Sequence, residues 1–209
     1  MKIIKPYYVI EQELDEEKIL KSIERAGRTC YKSEENISEE SAKRFVSGII
    51  KRGHESVIEH EKITIRIICD RGVTHEIVRH RIASYSQEST RYCNYCNEKF
   101  GKEITFIEPC FFNSDDEKDK KNKKIWLKAM QQIEDNYNEL IEGGAKPEEA
   151  RAILPNSLKT EIVVTMNLRA WRHFFKLRTD KAAHPQIREI SNMILDELKD
   201  KLPTIFGDL

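Results

Sequence analysis

The sequence TEIVVTMNLRAWRHFFKLR, residues 160–178, places a strand pattern directly before a helix pattern. Residues 160–167 are rich in β-branched side chains and end at an asparagine, which predicts a buried strand. Residues 168–178 interleave bases with aromatic residues, as in an amphipathic helix that buries its rings and exposes its arginines. A strand followed by a helix favours a mixed architecture in which helices pack on a sheet.

Helix and strand patterns recur on both sides of this stretch. Further strands are predicted at residues 2–10, 62–70 and 103–109, and Pro6 indicates that the first is an edge strand. Further helices are predicted at about residues 16–27, 38–52, 74–83, 122–142 and 185–200, with another that begins at residue 147. The charged run at 114–124 is interpreted as a solvated loop. We therefore predict a single α+β domain over residues 1–209, with helices packed around a mostly antiparallel sheet.

The composition is polar but not that of a disordered chain, since 39% of the 209 residues are hydrophobic and 34% are charged. The 36 basic and 36 acidic residues cancel. Nucleic-acid-binding proteins usually carry a basic excess, so phosphate affinity must come from local clusters. With no leader, no membrane-length apolar run and an odd count of five cysteines, we expect a cytoplasmic protein with reduced thiols.

Two short motifs resemble metal sites but fail on spacing. Cys93 and Cys96 have the spacing of half a zinc site, but no second pair completes it, and we interpret them as incidental thiols. GHESVIEH, residues 53–60, resembles a zinc protease motif, but the residue four positions after His54 is Ile58 rather than a histidine. We therefore expect no metal and assign this segment to the lining of a polar pocket.

The most unusual segment is RHRIASYSQESTRY, residues 79–92, which combines three arginines, a histidine, four hydroxyl side chains and two tyrosines. If Arg79 and Arg81 lie on a helix they point ~200° apart, so a shared ligand must be large. Arginines, hydroxyls and loop N–H groups together suit phosphate oxygens. The simpler alternative is a solvated charged face, but the hydroxyl-rich loop favours a binding site.

A third polar cluster comprises Arg151 and the bases that follow Asn167 on the predicted helix 168–178. An amphipathic surface helix explains Arg172 and Lys176, but it does not explain an asparagine that ends a β-branched run. Bases interleaved with aromatic residues could also bind RNA, although the zero net charge weakens that alternative. No glycine-rich phosphate fingerprint of the Rossmann or P-loop kind is found in the sequence.

These clusters together resemble a known family, the flavin-dependent thymidylate synthases. Arg79-His80-Arg81, then Ser89 and Arg91-Tyr92, is similar to the signature of that family. GHESVIEH, EEARAILP at residues 148–155 and NLRAWRHFFKLR at residues 167–178 are similar to its other segments, in the same order. The resemblance covers roughly residues 24–200.

The resemblance implies an enzyme that methylates deoxyuridine monophosphate (dUMP) at carbon 5 to give thymidylate. Methylenetetrahydrofolate would supply the carbon, and FAD reduced by NADPH would supply the electrons. The resemblance also implies one catalytic domain and a homotetramer whose sites are shared between subunits. Because this reaction needs no thiol nucleophile, replacing each of the five cysteines with serine should leave turnover largely intact.

The resemblance assigns residues by position. The predicted FAD contacts are Ser56 from a neighbouring subunit, Arg79, His80, Arg81, Gln87, Asn167, Arg169 and His173. The predicted dUMP contacts are Glu76, Arg79, Gln87, Ser89, Arg91, Arg151 and Arg178. Arg178 and Ser89 are the candidate catalytic residues, with Arg178 at the uracil edge, where it stabilises developing negative charge.

Two positions depart from the pattern of many family members. Glu76 stands where many have glutamine, and Ser86-Gln87 stands where many have Asn-Glu. These departures keep one alternative open, a nucleotide-binding paralogue that has lost catalysis. The second alternative is an RNA-binding module built on the arginine–aromatic helix.

Overall fold

The structure is a computed structural model that describes residues 1–30, 32–95 and 103–209. The contacts divide the chain into two compact units. The first unit comprises Met1–Tyr7, Ile67–Arg79 and Ser86–Ile162, and the second comprises Tyr8–Arg66, His80–Tyr85 and Val163–Leu209. Each unit is therefore assembled from segments that are distant in sequence.

Strands and helices are interspersed along the chain. The strands are β1 (Lys2–Ile4), β2 (Tyr7–Ile10), β3 (Lys62–Asp70), β4 (Ser84–Gln87), β5 (Thr105–Ile107) and β6 (Lys159–Asn167). The helices are α1 (Glu16–Thr29), α2 (Ser41–Lys51), α3 (Arg71–Ile77), α4 (Glu117–Glu142), α5 (Pro147–Ala150), α6 (Leu168–Arg178), α7 (Pro185–Lys201) and α8 (Pro203–Phe206). Short 3₁₀ helices lie at Glu34–Asn36, Glu55–His60 and Arg151–Ile153.

The strands form two sheets. Four of them pair in the order β2-β3-β6-β4 in an antiparallel sheet, and β1 pairs in parallel with β5. This confirms the predicted α+β class with a mostly antiparallel sheet. The single strand predicted at 2–10 is wrong, because Pro6 lies between two short strands that belong to different sheets. Pro6 has no N–H for a ladder, and β2 is an edge strand as expected.

The core of the first unit forms where α4 covers β5 and the residue that precedes β6. Buried residues there are Tyr95, Ile104, Phe106, Met130, Tyr137, Ala150 and Leu158. The helix α4 begins at Glu117, so the charged run predicted as a loop is largely helical. The Asp116 side chain accepts the Asp119 backbone N–H at 2.7 Å and caps the helix, which begins five residues before its predicted start at about residue 122.

The core of the second unit is built on α6. Trp171, Phe174 and Phe175 are almost fully buried, and the Trp171 indole N–H donates to the Ile63 carbonyl at 2.9 Å. The rings of Trp171 and Phe175 stack, and Phe206 of the unpredicted helix α8 meets Phe175 edge-on. The interpretation of Arg172 as a solvated arginine on the outer face of this helix is wrong, because Arg172 is 1% exposed.

Gly27 lies inside α1, which ends at Thr29, two residues after the predicted helix end. A Cβ added there would lie 2.7 Å from the Phe45 ring and 2.9 Å from Val57. The glycine therefore permits close packing of α1 against its neighbours in the second unit. Gly53, in contrast, has φ of +74° and follows the end of α2 as predicted.

Within residues 1–30, 32–95 and 103–209, no helix has the length and apolar character needed to cross a bilayer. Over the same residues, no cluster of three or more His, Cys, Asp or Glu side chains is placed to hold a metal ion. Cys96, the partner in the CxxC spacing, lies outside the described residues.

Candidate functional site

The backbone of residues 79–92 differs from the predicted helix followed by a loop. Asp70 caps α3 by accepting the Val73 N–H at 2.9 Å, and the helix ends at Ile77. Arg79 and Arg81 therefore follow the helix, and the angular argument based on helical geometry does not apply to them. The predicted continuation to residue 83 has no buried face, since Ile82 is 74% exposed.

Gln87 is held from two sides within the first unit. Its side-chain amide donates to the hydroxyls of Thr74, at 3.0 Å, and Thr160, at 3.2 Å. Both threonines are almost completely buried. Gln87 was predicted as a candidate from the sequence, but its two partners were not, because they lie on α3 and β6, which are distant from Gln87 in the sequence. Gln87 ends the short strand β4, where a loop had been predicted.

Glu88 was not among the candidates predicted from the sequence. Its carboxylate accepts from Lys159 at 2.8 Å and from the Tyr95 hydroxyl at 3.0 Å, and its backbone N–H donates to the Glu161 carbonyl. Burial, with the negative charge of Glu88, raises the pKa of the Tyr95 hydroxyl, so the tyrosine stays a neutral donor. These bonds anchor the segment between the candidate residues Gln87 and Ser89.

The remaining candidates of the first unit lie at its surface or partly buried. The Ser89 hydroxyl accepts the Arg91 backbone N–H at 3.3 Å, and the Arg91 guanidinium donates to Glu148 at 3.0 Å. Arg79 and Arg151 are exposed, with Arg151 in the 3₁₀ turn after α5. Glu76 is half-buried on the last turn of α3.

Three candidates meet in the second unit. Nε of Arg178 donates to Nε2 of His80 at 3.0 Å, although the two residues are 98 positions apart in sequence. The His80 ring also lies 4.8 Å from the Phe174 ring and 6.0 Å from the His173 ring, between centroids. The Tyr85 hydroxyl donates to the His80 carbonyl at 2.5 Å. Arg178 is thus not merely a solvated base at a helix end.

Asn167 and Arg169 lie at the start of α6, with Asn167 as its cap and Arg169 in its first turn. The Asn167 side chain accepts the Ala170 N–H at 2.8 Å, so the asparagine that ends the strand is the cap of the following helix. Arg169 is 52% exposed and donates to Glu59 at 2.6 Å, which raises the pKa of its guanidinium.

Ser56 lies exposed in the 3₁₀ turn Glu55–His60, in the GHESVIEH segment. The acidic residues on either side of it, Glu55 and Glu59, accept from Arg172 and Arg169 of α6. Both contacts lie within the second unit, and neither was predicted from the sequence.

The exposed hydrogen-bond donors of the second unit are chemically suited to flavin adenine dinucleotide. Arg81, Arg169 and His173 are exposed cationic or polar donors, and Ser56 adds an exposed hydroxyl. Guanidinium groups bind diphosphate oxygens, while imidazole and amide groups suit ring carbonyls and nitrogens. The structure places these side chains on the surface of one unit, where a large ligand could reach them.

Comparisons with known proteins agree with these motifs. The family described as thymidylate synthase complementing protein matches residues 12–204. A flavin-dependent thymidylate synthase of Pyrococcus furiosus is 41% identical over 173 residues, which are 82% of this chain and 68% of the relative. The flavin-dependent thymidylate synthase of Geobacter sulfurreducens is 37% identical over 190 residues, which are 88% of this chain and 78% of the relative.

A solved structure supports the fold separately. The crystal structure of a UMP/dUMP methylase from Streptomyces cacaoi, bound with 5-Br UMP, matches with a TM-score of 0.78. The match covers 99% of this chain and 95% of the other chain at 17% identity, so it bears on the fold alone.

Proposed function

Because the chain belongs to the thymidylate synthase complementing protein family, we propose that it is an enzyme that methylates dUMP to thymidylate in a flavin-dependent reaction. The family assignment confirms the resemblance inferred from the sequence motifs. Curated relatives at 37% and 41% identity are named for this activity. The catalytically weak paralogue and the RNA-binding module are therefore not favoured.

The observation that carries the proposal is the hydrogen bond between Arg178 and His80. It joins the predicted catalytic arginine to the central residue of the Arg-His-Arg signature. The helical periodicity of the sequence does not predict this contact. His80 accepts this bond at Nε2, so a neutral His80 carries its proton on Nδ1. The imidazole then orients the guanidinium without adding a second positive charge.

Arg178 is the proposed catalytic residue. Carbon 5 of uracil becomes nucleophilic only as negative charge builds in the ring, and an arginine that donates to the ring edge stabilises that charge where it develops. Phe174 and the other rings of α6 anchor the helix, while His80 holds Nε of Arg178. The chain thus supplies a pre-oriented donor, for which a mobile surface lysine is a poor substitute.

By their positions in the family motifs, we propose Glu76, Arg79, Gln87, Ser89, Arg91, Arg151 and Arg178 as the dUMP contacts. Gln87 and Ser89 would donate to the nucleotide, and Ser89 remains the second catalytic candidate. The cations Arg79, Arg91 and Arg151 suit its phosphate. The half-buried Glu76 remains a proposed contact for a polar group of the nucleotide. Gln87 is held by two buried threonines, which supports a fixed orientation at this site.

We propose the FAD contacts by their positions in the family motifs. The proposed contacts are Ser56, Arg79, His80, Arg81, Gln87, Asn167, Arg169 and His173. FAD would supply the electron transfer, with NADPH as reductant and methylenetetrahydrofolate as carbon donor. The chain's own part is to bind and orient these molecules, which agrees with a donor-rich surface.

We also propose a cytoplasmic homotetramer in which Ser56 serves the flavin site of a neighbouring subunit. Ser56 is exposed on the turn Glu55–His60, which supports a role toward a second chain. If the sites are shared, FAD binds the assembled form and stabilises it by mass action. A flavin-loaded, active monomer in light scattering would contradict this assembly.

The function is tested with the purified protein. We expect flavin absorbance, and thymidylate formation that requires dUMP, methylenetetrahydrofolate and NADPH. Rescue of a thymidine-requiring strain provides the test in cells. Protein that binds flavin and dUMP but makes no thymidylate, in both assays, would identify a paralogue and contradict the proposal.

A further inference from the structure

Arg172 is the most deeply buried charged side chain of α6, with 1% of its surface exposed. The proposed ligand contacts use Arg169 and His173 on either side of it, but the function assigns nothing to Arg172. A buried guanidinium is costly unless hydrogen bonds and opposite charges surround it. The burial of Arg172 therefore depends on the groups that bind its guanidinium.

Three groups from two separate segments surround Arg172 within the second unit. Nε donates to Glu55 at 3.0 Å, and the two Nη atoms donate to the two carboxylate oxygens of Asp208 at 2.6 and 2.8 Å. Nη1 also donates to the Ile205 carbonyl. One guanidinium thus joins the 3₁₀ turn Glu55–His60 to the segment that contains α8.

The electrostatics agree with this geometry. Burial opposes the charge on Arg172, but Asp208 and Glu55 outweigh burial and raise the pKa of the guanidinium. Donation from Arg172 lowers the pKa of Asp208. Arg172 and Asp208 therefore remain a charged, hydrogen-bonded pair at neutral pH.

Ser56 lies between the two acidic residues that α6 holds. Arg172 binds Glu55 on one side of it, and Arg169 binds Glu59 on the other. Ser56 itself is exposed. The buried Arg172–Glu55 pair holds the turn beside Ser56, together with the buried Ile58, while the Arg169–Glu59 pair is exposed and contributes less.

We propose that Arg172 is a positioning residue for the flavin site, which couples residues 205–208 to the turn that carries Ser56 through its bonds to Asp208 and Glu55. This inference rests on the proposed function, since it takes Ser56 as a flavin contact. It adds that α8 and Asp208 influence flavin affinity although the proposed site does not include them.

The test compares FAD affinity between variants by fluorescence titration, at a temperature well below the unfolding midpoint of each protein. Arg172→Met should raise the Kd for FAD about tenfold, as expected when an element that orients a ligand contact is released. Glu55→Gln and Asp208→Asn should raise the Kd in the same direction by smaller factors. These two milder variants decide the question if Arg172→Met does not fold.

Lys176→Met is the matched control. Lys176 lies 3.7 Å from the same Glu55 carboxylate, but its side chain is 52% exposed. Its loss should change the Kd by less than about twofold, because an exposed pair contributes little. An equal effect from Lys176→Met and Glu55→Gln would overturn the proposal, because it would mean that charge near the turn matters rather than the buried connection.

A second readout does not involve flavin. In the ligand-free protein, hydrogen exchange of the backbone amides at residues 54–61 should accelerate in Arg172→Met and in Asp208→Asn. If Asp208→Asn lowers the unfolding midpoint but changes neither this exchange nor the Kd, Arg172 is only structural and the proposal is wrong. Wild-type protein that binds no FAD would overturn the proposed function, and this inference with it.

Discussion

Helix α6 and the segment 79–92 both carry proposed ligand residues, but their sequences relate to their structures differently. The bounds of α6 agree with the prediction, because its aromatic residues recur at helical spacing and are buried. The helix predicted into residues 79–83 is wrong, and β4 lies where a loop was expected. Periodicity is informative where burial organises the chain, and it is a poor guide where polar contacts do so.

The largest effect is expected from breaking the apolar side of α6. Trp171→Ala should lower the free energy of unfolding by ~3–5 kcal/mol, because it removes a fully buried ring and leaves a cavity. Leu177→Ala is the control on the same helix, since Leu177 is 49% exposed. Denaturant unfolding at a fixed protein concentration measures both. Similar losses in the two variants would contradict the assignment of the buried face.

The contact of Arg178 in α6 with His80 in the signature segment should affect the rate of thymidylate formation. Arg178→Ala should lower thymidylate formation by ~10²-fold or more while FAD remains bound, because it removes a donor to developing charge. Arg178→Lys should restore little, since an ammonium lacks the planar two-point geometry. Lys176→Ala, in the same last turn of α6, should leave the rate unchanged. Near-normal turnover of flavin-loaded Arg178→Ala would show that another residue is the catalytic donor.

Within the signature segment, Gln87 provides a finer test. Thr74→Val removes one of the two buried hydroxyls that hold the Gln87 amide, and should cost ~1–2 kcal/mol of stability. The KM for dUMP should rise several-fold with a smaller change in kcat. Thr165→Val, which removes a hydroxyl bonded to Thr64 at 2.9 Å, should destabilise comparably and leave the KM alone. A parallel rise in both KM values would mean that lost stability, rather than Gln87, is responsible.

The buried charge of α6 should appear in the pH dependence of stability. Arg172 donates to Asp208 and lowers the pKa of that carboxyl, against a smaller opposing effect of burial. The stabilisation is therefore complete above the unfolded pKa, near pH 4, and is lost as the pH falls through the lower folded value. Because Asp208 is half exposed, we expect under ~1 kcal/mol. Thermal melts between about pH 3 and 7 should show a shallower acid loss for Asp208→Asn than for wild type.

The smallest effect is expected at a thiol outside both regions. Cys69 is 1% exposed, and burial raises the pKa of its thiol, with a further contribution from Asp70. The thiolate that a nucleophile requires is therefore disfavoured. Cys69→Ala should change turnover less than about twofold, and alanine avoids burying a serine hydroxyl. Complete loss of turnover in folded, flavin-loaded Cys69→Ala would overturn the mechanism without a thiol.

The elements that the sequence predicted well are those whose apolar residues repeat at a fixed spacing. β3 and β6 have their predicted bounds to within a residue, and α6 and α7 begin at the predicted positions. The wrong predictions concern residue types that occur in more than one structural role. Gly27 marked the predicted end of α1 but is a packing contact two residues before the observed end, and Asp116 caps a helix inside a run of charges that was taken as loop.

Residue types and their order were enough to identify the family and to propose the ligands, because the Arg-His-Arg signature and its companion segments are local patterns. Partners were not predictable in this way. Arg172 has the same local sequence setting as a solvated helix arginine, and only the packing of residues 205–208 and the turn Glu55–His60 buries it. His80 and Arg178 likewise meet across 98 positions. A local pattern states which groups are available, while tertiary packing decides which of them touch, because a hydrogen bond depends on distances of about 3 Å between distant segments.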